Sequence, residues 1–352
     1  MDLVAALEAG PARVEAAGPV ELLDPRRHRD EVRLLVAGPD RPIEHAAFAD
    51  LPAYLGRGDV VVVNRSATLP AALDATLDGN PVRVHVSSAV PGSSRRLVEL
   101  RRPDGTGSAP YASGAGDGVV VVLPGGGEAT LVVARLRSGK APRLWEAELR
   151  LPLGLADYLH AYGEPIRYGY VSRPWALASY QTIFARFPGS SEMPSAGRPF
   201  SWRLVRRLRA KGVVVTGVTL HAGVASLERD ERPTPEPFAI PAAAARLVNC
   251  ARAGGKRVVA VGTTVVRALE SATDETGRVR ATAGTTDLVI ERGRELRIVT
   301  GLLTGFHEPD ASHIELLAAV GGDSVVRASY AEAVARGYLW HEFGDLHLLL
   351  RA

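Results

Sequence analysis

The chain has one cysteine, Cys250, in 352 residues. A single thiol excludes an internal disulfide and any zinc site built on thiolates. It lies in the helical run Ala-Arg-Leu-Val-Asn-Cys-Ala-Arg, where it reads as a small buried hydrophobe. No stretch of about eighteen uncharged apolar residues occurs, so no segment suits a membrane-spanning helix. Met1 to Pro19 is apolar but is broken by Glu8, Gly10, Pro11 and Glu15. It lacks the charged start and long apolar run of an export signal. A cytoplasmic protein is expected. Charge of one sign is also scarce. Forty-two Lys and Arg against 39 Asp and Glu leave a formal +3, so a nucleic-acid partner would have to meet a local basic patch. There is no Gly-Lys-Ser/Thr phosphate loop, no GxGxxG before a helix, no Gly-x-Ser-x-Gly and no His-Glu-x-x-His. Common readings as a nucleotide hydrolase, dinucleotide enzyme, serine hydrolase or zincin therefore have no support.

What is present is the profile of a packed globular protein, 46% apolar and 23% charged. The length leaves room for two domains. Phe48 to Leu55 reads as a short helix or turn. Arg57-Gly58-Asp59 then turns into a buried strand, Val60 to Val63, ending at Asn64. From Asp74 to about Leu153, β-rich runs alternate with turn clusters. The runs are Val82–Val86, Leu97–Leu100, Val119–Leu123, Ala129–Leu136 and Leu144–Leu151. The clusters are Pro91–Ser94, Pro103–Gly107 and Pro124–Gly127. Strands at this spacing predict a small barrel or sandwich. Afterwards helices and strands alternate: Trp202–Lys211 helical, Val213–Leu220 strand, Ala242–Gly254 helical, Arg257–Gly262 strand, Thr264–Ala272 helical. Leu288–Ile290 and Leu296–Val299 read as paired strands, and Ala311–Val320 and Ala331–Gly337 as helices. The expected fold is an α/β (α+β) main domain with an inserted all-β barrel-like domain. Its parts are 1–73 (main domain), 74–154 (insert) and 155–352 (main domain again).

Several segments can carry chemistry. Lys256 to Thr264 is a buried strand running into a helix. Gly262 permits the turn, Thr263 or Thr264 can cap the helix, and free N–H groups there can hold a carboxylate or phosphate. Arg267, one turn on, can pair with an anion, with Glu270 or with Asp274. The residues alone fit either a ligand site or a capped helix with a surface ion pair. His221 follows a strand and precedes Ala222-Gly223, and reads as site or as structure. In Thr304 to Ser312, His307 and Glu308 suit acid–base work and Asp310 or Ser312 suits a helix cap. His307, Glu308 and His313 match no metal spacing, so no metal is expected. Phe343-Gly344-Asp345 turns into a terminal strand, with Asp345 either functional or satisfying the turn. Ser190 to Ser201 reads as a linker or a ligand-side loop. Arg206, Arg207, Arg209 and Lys211 read as a solvated helix face, or as part of an RNA-binding face.

The order of these segments is more specific than any one of them. Gly58–Asn64, Tyr180-Gln181-Thr182-Ile183-Phe184-Ala185, Pro194-Ser195-Ala196-Gly197, Thr219–Gly223, Val261-Gly262-Thr263-Thr264-Val265-Val266-Arg267-Ala268-Leu269-Glu270-Ser271, Phe306-His307-x-Pro309 and Phe343–Asp345 resemble, in sequence and order, the S-adenosylmethionine:tRNA ribosyltransferase-isomerase family of queuosine biosynthesis. The likeness runs from about Leu35 to the C-terminus and is weakest across the inserted domain. It implies a large α/β domain with an inserted β-barrel. It also implies transfer of the ribosyl group of S-adenosylmethionine, a co-substrate, to the aminomethyl arm of a 7-deazaguanine in tRNA. Adenine and methionine leave, and no metal takes part. For that chemistry His221, His307 and Asp345 are the catalytic candidates. Tyr180, Gln181, Ser195, Gly197, Glu236, Gly262, Thr263, Thr264 and Arg267 are the candidates for holding S-adenosylmethionine. Glu236 and Asp345 suit a sulfonium or hydroxyl, and Thr263, Thr264 and Arg267 the methionine or ribose end. The chain departs from the family pattern at Ala67 and Ala72, where basic residues are usual, and at Arg198-Pro199, where a His is lost. Around Glu236 the family's Met-His-x-Glu keeps only its acid. The partner is thus S-adenosylmethionine with either tRNA or a small-molecule acceptor, or the chain is a non-catalytic nucleotide or RNA binder.

Overall fold

The computed structural model describes residues 18–24, 26–103, 110–111, 113–137, 140–167, 171, 173–224, 234–307, 313–340 and 342–351. Glu308, Asp310, Ser312 and most of the Pro103–Gly107 cluster lie outside them. After a helical turn at Val20–Leu23 come β1 (Arg33–Gly38), β2 (Arg41–Ala47), β3 (Val60–Asn64) and the short β4 (Ser66–Thr68). Six strands follow: β5 (Ala72–Leu77), β6 (Asn80–Ala89), β7 (Arg96–Arg101), β8 (Val120–Leu123), β9 (Gly127–Arg137) and β10 (Lys140–Arg150). Helix α1 (Leu155–Tyr162) leads to β11 (Phe187–Ser190), α2 (Trp202–Ala210), β12 (Val214–Leu220), β13 (Glu236–Ile240) and α3 (Ala242–Ala253). Then come β14 (Val258–Val261), α4 (Thr263–Ser271), β15 (Thr282–Thr286), β16 (Gly301–Gly305), α5 (His313–Gly321), α6 (Asp323–Ala335) and β17 (Leu346–Leu350).

Strands β5 to β10 close into an antiparallel barrel in the order β10-β7-β6-β5-β8-β9. Alternation decides its inside. Val82, Val84 and Val86 on β6 and Val98 and Leu100 on β7 fill the barrel core with Trp145 and Ala147. The other strands form one mixed sheet, β15-β13-β12-β3-β14-β16-β17-β1-β2, and β4 pairs with β11. The expected α/β domain with an inserted barrel is the observed fold.

The four valines of β3 explain its central place. Val60 and Val62 enter one core with α3, α4, α5 and α6; Val61 and Val63 enter the other with Phe48, Phe200 and α2. A strand covered on both faces reads as an unbroken apolar run. Burying each valine stabilises the fold by roughly 1.5–3 kcal/mol relative to leaving it exposed. Helix α2 starts where Ser201 Oγ accepts from Leu204 N at 3.0 Å.

Three expectations need correction. Leu288–Ile290 and Leu296–Val299 are not strands; the strands nearby are β15 and β16. The reason is that side chains of α4 take their backbone groups. Arg267 Nε donates to Leu288 O, while the Glu270 carboxylate accepts from the N–H groups of Arg297, Ile298 and Val299. Four backbone groups of these segments are thus bound to α4 side chains. Cys250 is exposed, because the buried stripe of α3 runs through Ala244, Ala245, Val248 and Ala251 and leaves it outside. Finally, neither Thr263 nor Thr264 caps α4. Gly262 is the N-cap, at φ 88°, with no side-chain capping bond.

Candidate active site at one sheet edge

Strands β12 and β14 both run parallel to β3, one on each side, and β16 runs parallel to β14. Their carboxyl ends therefore lie along one edge. The chain visits one flank of β3 and then the other, and at such a reversal of strand order the loops diverge and leave a crevice. Asn64, His221, Gly262 and His307 all stand at or just past these ends. Asn64 fastens three of them. Its Nδ2 donates to Leu220 O at 2.8 Å and to Thr264 Oγ1 at 3.2 Å, and its Oδ1 accepts from Leu220 N and Ser66 N.

His221 is half-buried in a polar chain. Ala222 N donates to Ser190 Oγ at 3.0 Å, Ser190 Oγ to Ser66 Oγ at 2.7 Å, and Ser66 Oγ lies 2.7 Å from His221 Nδ1. With the Ser66 hydroxyl proton directed at His221 Nδ1, the neutral ring carries its own proton on Nε2. Nε2 has no hydrogen-bond partner among the described residues. Burial, with the nearby Arg96, holds the His221 pKa below its usual value, which favours the neutral ring. Strand β11 presses on the same ring: a Cβ added at Gly189 would come within 2.5 Å of Nδ1. Ser190 opens the segment that reads as a linker or a ligand-side loop, whereas Ser66, a serine beside a strand, carries no signal until its partner is known.

The other motif segments meet at the start of α4. Ala196 Cβ lies 3.6 Å from where a Gly262 Cβ would stand, and a Gly197 Cβ would be 3.3 Å from Thr182 Cγ2. The Pro194–Gly197 turn, with Ser195, thus sits between Tyr180–Thr182 and Gly262. The N–H groups of Thr263 and Thr264 are the first of the helix and have no partner within it. Gln181 fastens the backbone of β4, where its Oε1 accepts from Thr68 N and its Nε2 donates to Thr68 O, at 3.0 and 2.8 Å.

Arg267 pairs with neither Glu270 nor Asp274. Its Nη1 donates to the Glu236 carboxylate, its Nε to Leu288 O at 2.9 Å and its Nη2 to Thr286 O at 3.3 Å. Glu236 Oε1 accepts from Gly223 N at 2.8 Å. Both side chains are buried. Burial pushes the Glu236 carboxyl above its usual range against the pull of Arg267 and the Gly223 N–H. Sequence spacing alone pointed Arg267 along its own helix; the sheet instead brings β13 across to it.

Tyr180 is buried against Phe343, ring centroids 5.2 Å apart, in a cluster with Met193. Its hydroxyl has no partner among the described residues. Burial and the nearby Glu342 raise its pKa, and burial and Glu192 push the Glu342 carboxyl well above its ordinary value. His307 is buried; its Nε2 is 3.2 Å from Thr304 Oγ1 and its ring stacks on His313 at 4.2 Å. No group of three His, Cys, Asp or Glu among the described residues is placed to hold a metal ion. Asp345 stands before β17, its carboxylate taking Arg33 N, Arg33 Nε and Nη2, and Leu339 N. These bonds satisfy the turn. Of the basic run on α2, Arg207 donates to Ala49 O and Lys211 to Pro52 O, so two of the four residues pin the helix to the Phe48–Tyr54 segment. No helix among the described residues is long and apolar enough to cross a membrane.

Comparison with known proteins bears on this edge. A family model described as "Queuosine biosynthesis protein" matches residues 15–349. An S-adenosylmethionine:tRNA ribosyltransferase-isomerase of Anaeromyxobacter dehalogenans is 38% identical over 339 residues, covering 92% of this chain and 93% of the relative. Proteins of the same name from Rubrobacter xylanophilus and Sorangium cellulosum are 37% and 35% identical, each covering over nine-tenths of both chains. The crystal structure of an S-adenosylmethionine tRNA ribosyltransferase from Thermotoga maritima superposes with a TM-score of 0.53 at 27% identity, covering 97% of this chain and 98% of that one. The names of these relatives and of the solved structure carry tRNA, and none carries a small-molecule acceptor.

Proposed function

The chain belongs to the queuosine biosynthesis family of S-adenosylmethionine:tRNA ribosyltransferase-isomerases, and on that premise we propose that it moves the ribosyl group of S-adenosylmethionine onto the 7-aminomethyl-7-deazaguanine base of a tRNA. The product is epoxyqueuosine in tRNA, with adenine and methionine released. The observation that supports this best is the convergence at one sheet edge of an imidazole with an open Nε2, a helix start with free N–H groups and a buried carboxylate.

The chemistry divides among them. The N–H groups of Thr263 and Thr264, with the positive end of the α4 dipole, suit the methionine carboxylate. Glu236 fixes Gly223, and so the loop after His221, while its negative charge favours a nearby sulfonium. Arg267 holds Glu236 and so acts on the substrate through it. His221, neutral and protonated on Nε2, is a hydrogen-bond donor toward the leaving adenine. His307 is the second acid–base group. Gln181, Ser195 and Gly197 shape the wall beside Gly262, and Tyr180 closes it with an aromatic ring. Asp345 anchors the strand that ends the fold.

The test is to incubate the protein with S-adenosylmethionine alone, with unmodified tRNA and with tRNA bearing the deazaguanine. Adenine and methionine are expected only in the last. Release without RNA refutes tRNA as the acceptor. Binding of S-adenosylmethionine with no release in any arm refutes catalysis.

A further inference from the structure

The ribbon of β4 and β11 carries an exposed group that the chemistry above does not use. Among the described residues, Phe187 and Trp202 are the phenylalanine and tryptophan left substantially in water, 39% and 55% exposed. Exposing two large aromatics is unfavourable for a free monomer unless something covers them. Trp202 packs on Phe184 with centroids 6.2 Å apart, and Phe187 follows Phe184 by three residues along the chain. Two arginines flank the Phe187 ring, Arg65 at 5.1 Å and Arg186 at 5.5 Å from its centroid. Neither has a carboxylate partner among the described residues. Other arginines, such as Arg33, Arg83, Arg198, Arg257 and Arg267, are held by carboxylates. Burial, and then the like charge of Arg186, lower the pKa of Arg65. Their backbones are joined, since Arg186 N and Phe187 N both donate to Arg65 O. The stem of Arg65 lies across Gly217, where an added Cβ would come within 2.6 Å, so its place is set by the sheet.

Unpaired arginines want an anion, and an exposed ring between them wants a planar partner. A nucleic-acid strand with unstacked bases supplies both, with phosphates for the guanidinium groups and a base face for the ring. The position is also apt. Arg65 lies between Asn64 and Ser66, which bonds the His221 ring.

We propose that Arg65, Arg186 and Phe187 form the platform on which single-stranded RNA of the substrate tRNA is held beside His221. This rests on the tRNA reading above.

The experiment measures binding of a fluorescent anticodon stem-loop by anisotropy across a salt series, with S-adenosylmethionine affinity measured in parallel. Phe187→Ala is expected to weaken RNA binding about tenfold or more, and Phe187→Tyr to retain it. Arg65→Ala and Arg186→Ala should each weaken binding and lower the slope of log affinity against log salt by about one. Arg294→Ala, an exposed arginine outside the platform, should leave the slope unchanged. S-adenosylmethionine affinity should hold in the Phe187 and Arg186 variants, which also reports that they fold. If wild-type protein binds the RNA and the Phe187 and Arg186 variants bind it equally well with the same salt slope, the platform is wrong and the tRNA reading stands. If wild-type protein does not bind the RNA at all, both are wrong.

Discussion

The Glu236–Arg267 pair offers a sharp test of how the site is built. Each side chain is less than a tenth exposed, and the pair joins β13 to α4. Arg267 also holds Thr286 O and Leu288 O, and Glu236 holds Gly223 N. Replacing Arg267 by Met keeps the bulk and removes the charge. It leaves a buried carboxylate with the Gly223 N–H and takes the guanidinium from two backbone carbonyls. Breaking a buried pair from one side costs about 3–5 kcal/mol, a large share of the ~5–15 kcal/mol that holds an ordinary domain. Glu236→Gln strands the guanidinium instead and is expected to cost a similar amount. The double variant strands neither charge. Its cost should therefore fall short of the sum of the two single costs by about 2 kcal/mol or more. Urea unfolding followed by circular dichroism gives the three stabilities, and calorimetric titration gives S-adenosylmethionine affinity. Large, strongly coupled stability losses are expected. An Arg267→Met variant that loses less than about 1 kcal/mol while abolishing S-adenosylmethionine binding would refute this, because Arg267 would then be a ligand contact and not the support of Glu236.

Three further outcomes follow from the same structure. Gly189→Ala places a methyl against the His221 ring, and turnover is expected to fall at least tenfold with S-adenosylmethionine affinity little changed; unchanged turnover would show that the ring need not be held there. His347 is fully buried, both ring nitrogens lack partners among the described residues, and burial holds its pKa down at about 3. Above pH 6.5 it is neutral folded or unfolded, whereas below that only the unfolded chain takes the proton, so stability drops as pH falls from about 6.5 toward 3. His347→Leu should flatten that drop and add ~1–2 kcal/mol at pH 7, and a thermal melt that moves down instead would count against the assignment. For Glu342 the sign is opposite: a carboxyl whose folded pKa is raised costs nothing below the unfolded value of 4.5 and destabilises as pH rises past it. Glu342→Gln is thus expected to stabilise by about 1 kcal/mol or more at pH 8 and to have little effect at pH 4, as read by urea midpoints at the two pH values; equal effects at both would refute a buried, proton-holding carboxyl.

Composition, periodicity and motif order were enough for the family, for the α/β domain and for the inserted barrel. Each depends on short-range information. The Val60–Val63 run marks a doubly covered strand, alternation at Val82, Val84 and Val86 marks a barrel strand, and Gly262 before a helical run marks a tight turn. What the sequence could not determine is which side chains meet across elements. Arg267 had Glu270 and Asp274 at helical spacing, yet the sheet puts Glu236 beside it and turns Glu270 toward the backbone of Arg297–Val299. Arg267 and Glu270 also bind backbone groups of the segments expected to be strands. Ser66 and Ser190 lie 124 residues apart and touch at 2.7 Å; only the pairing of β4 with β11 makes them a chain to His221. Arg65 and Phe187 are equally remote, and their contact is again made by that ribbon. Local pattern specifies elements because it acts through the chain's own geometry. The site and its surfaces are made by strand order, which gathers distant ends at one edge and is written in no single segment.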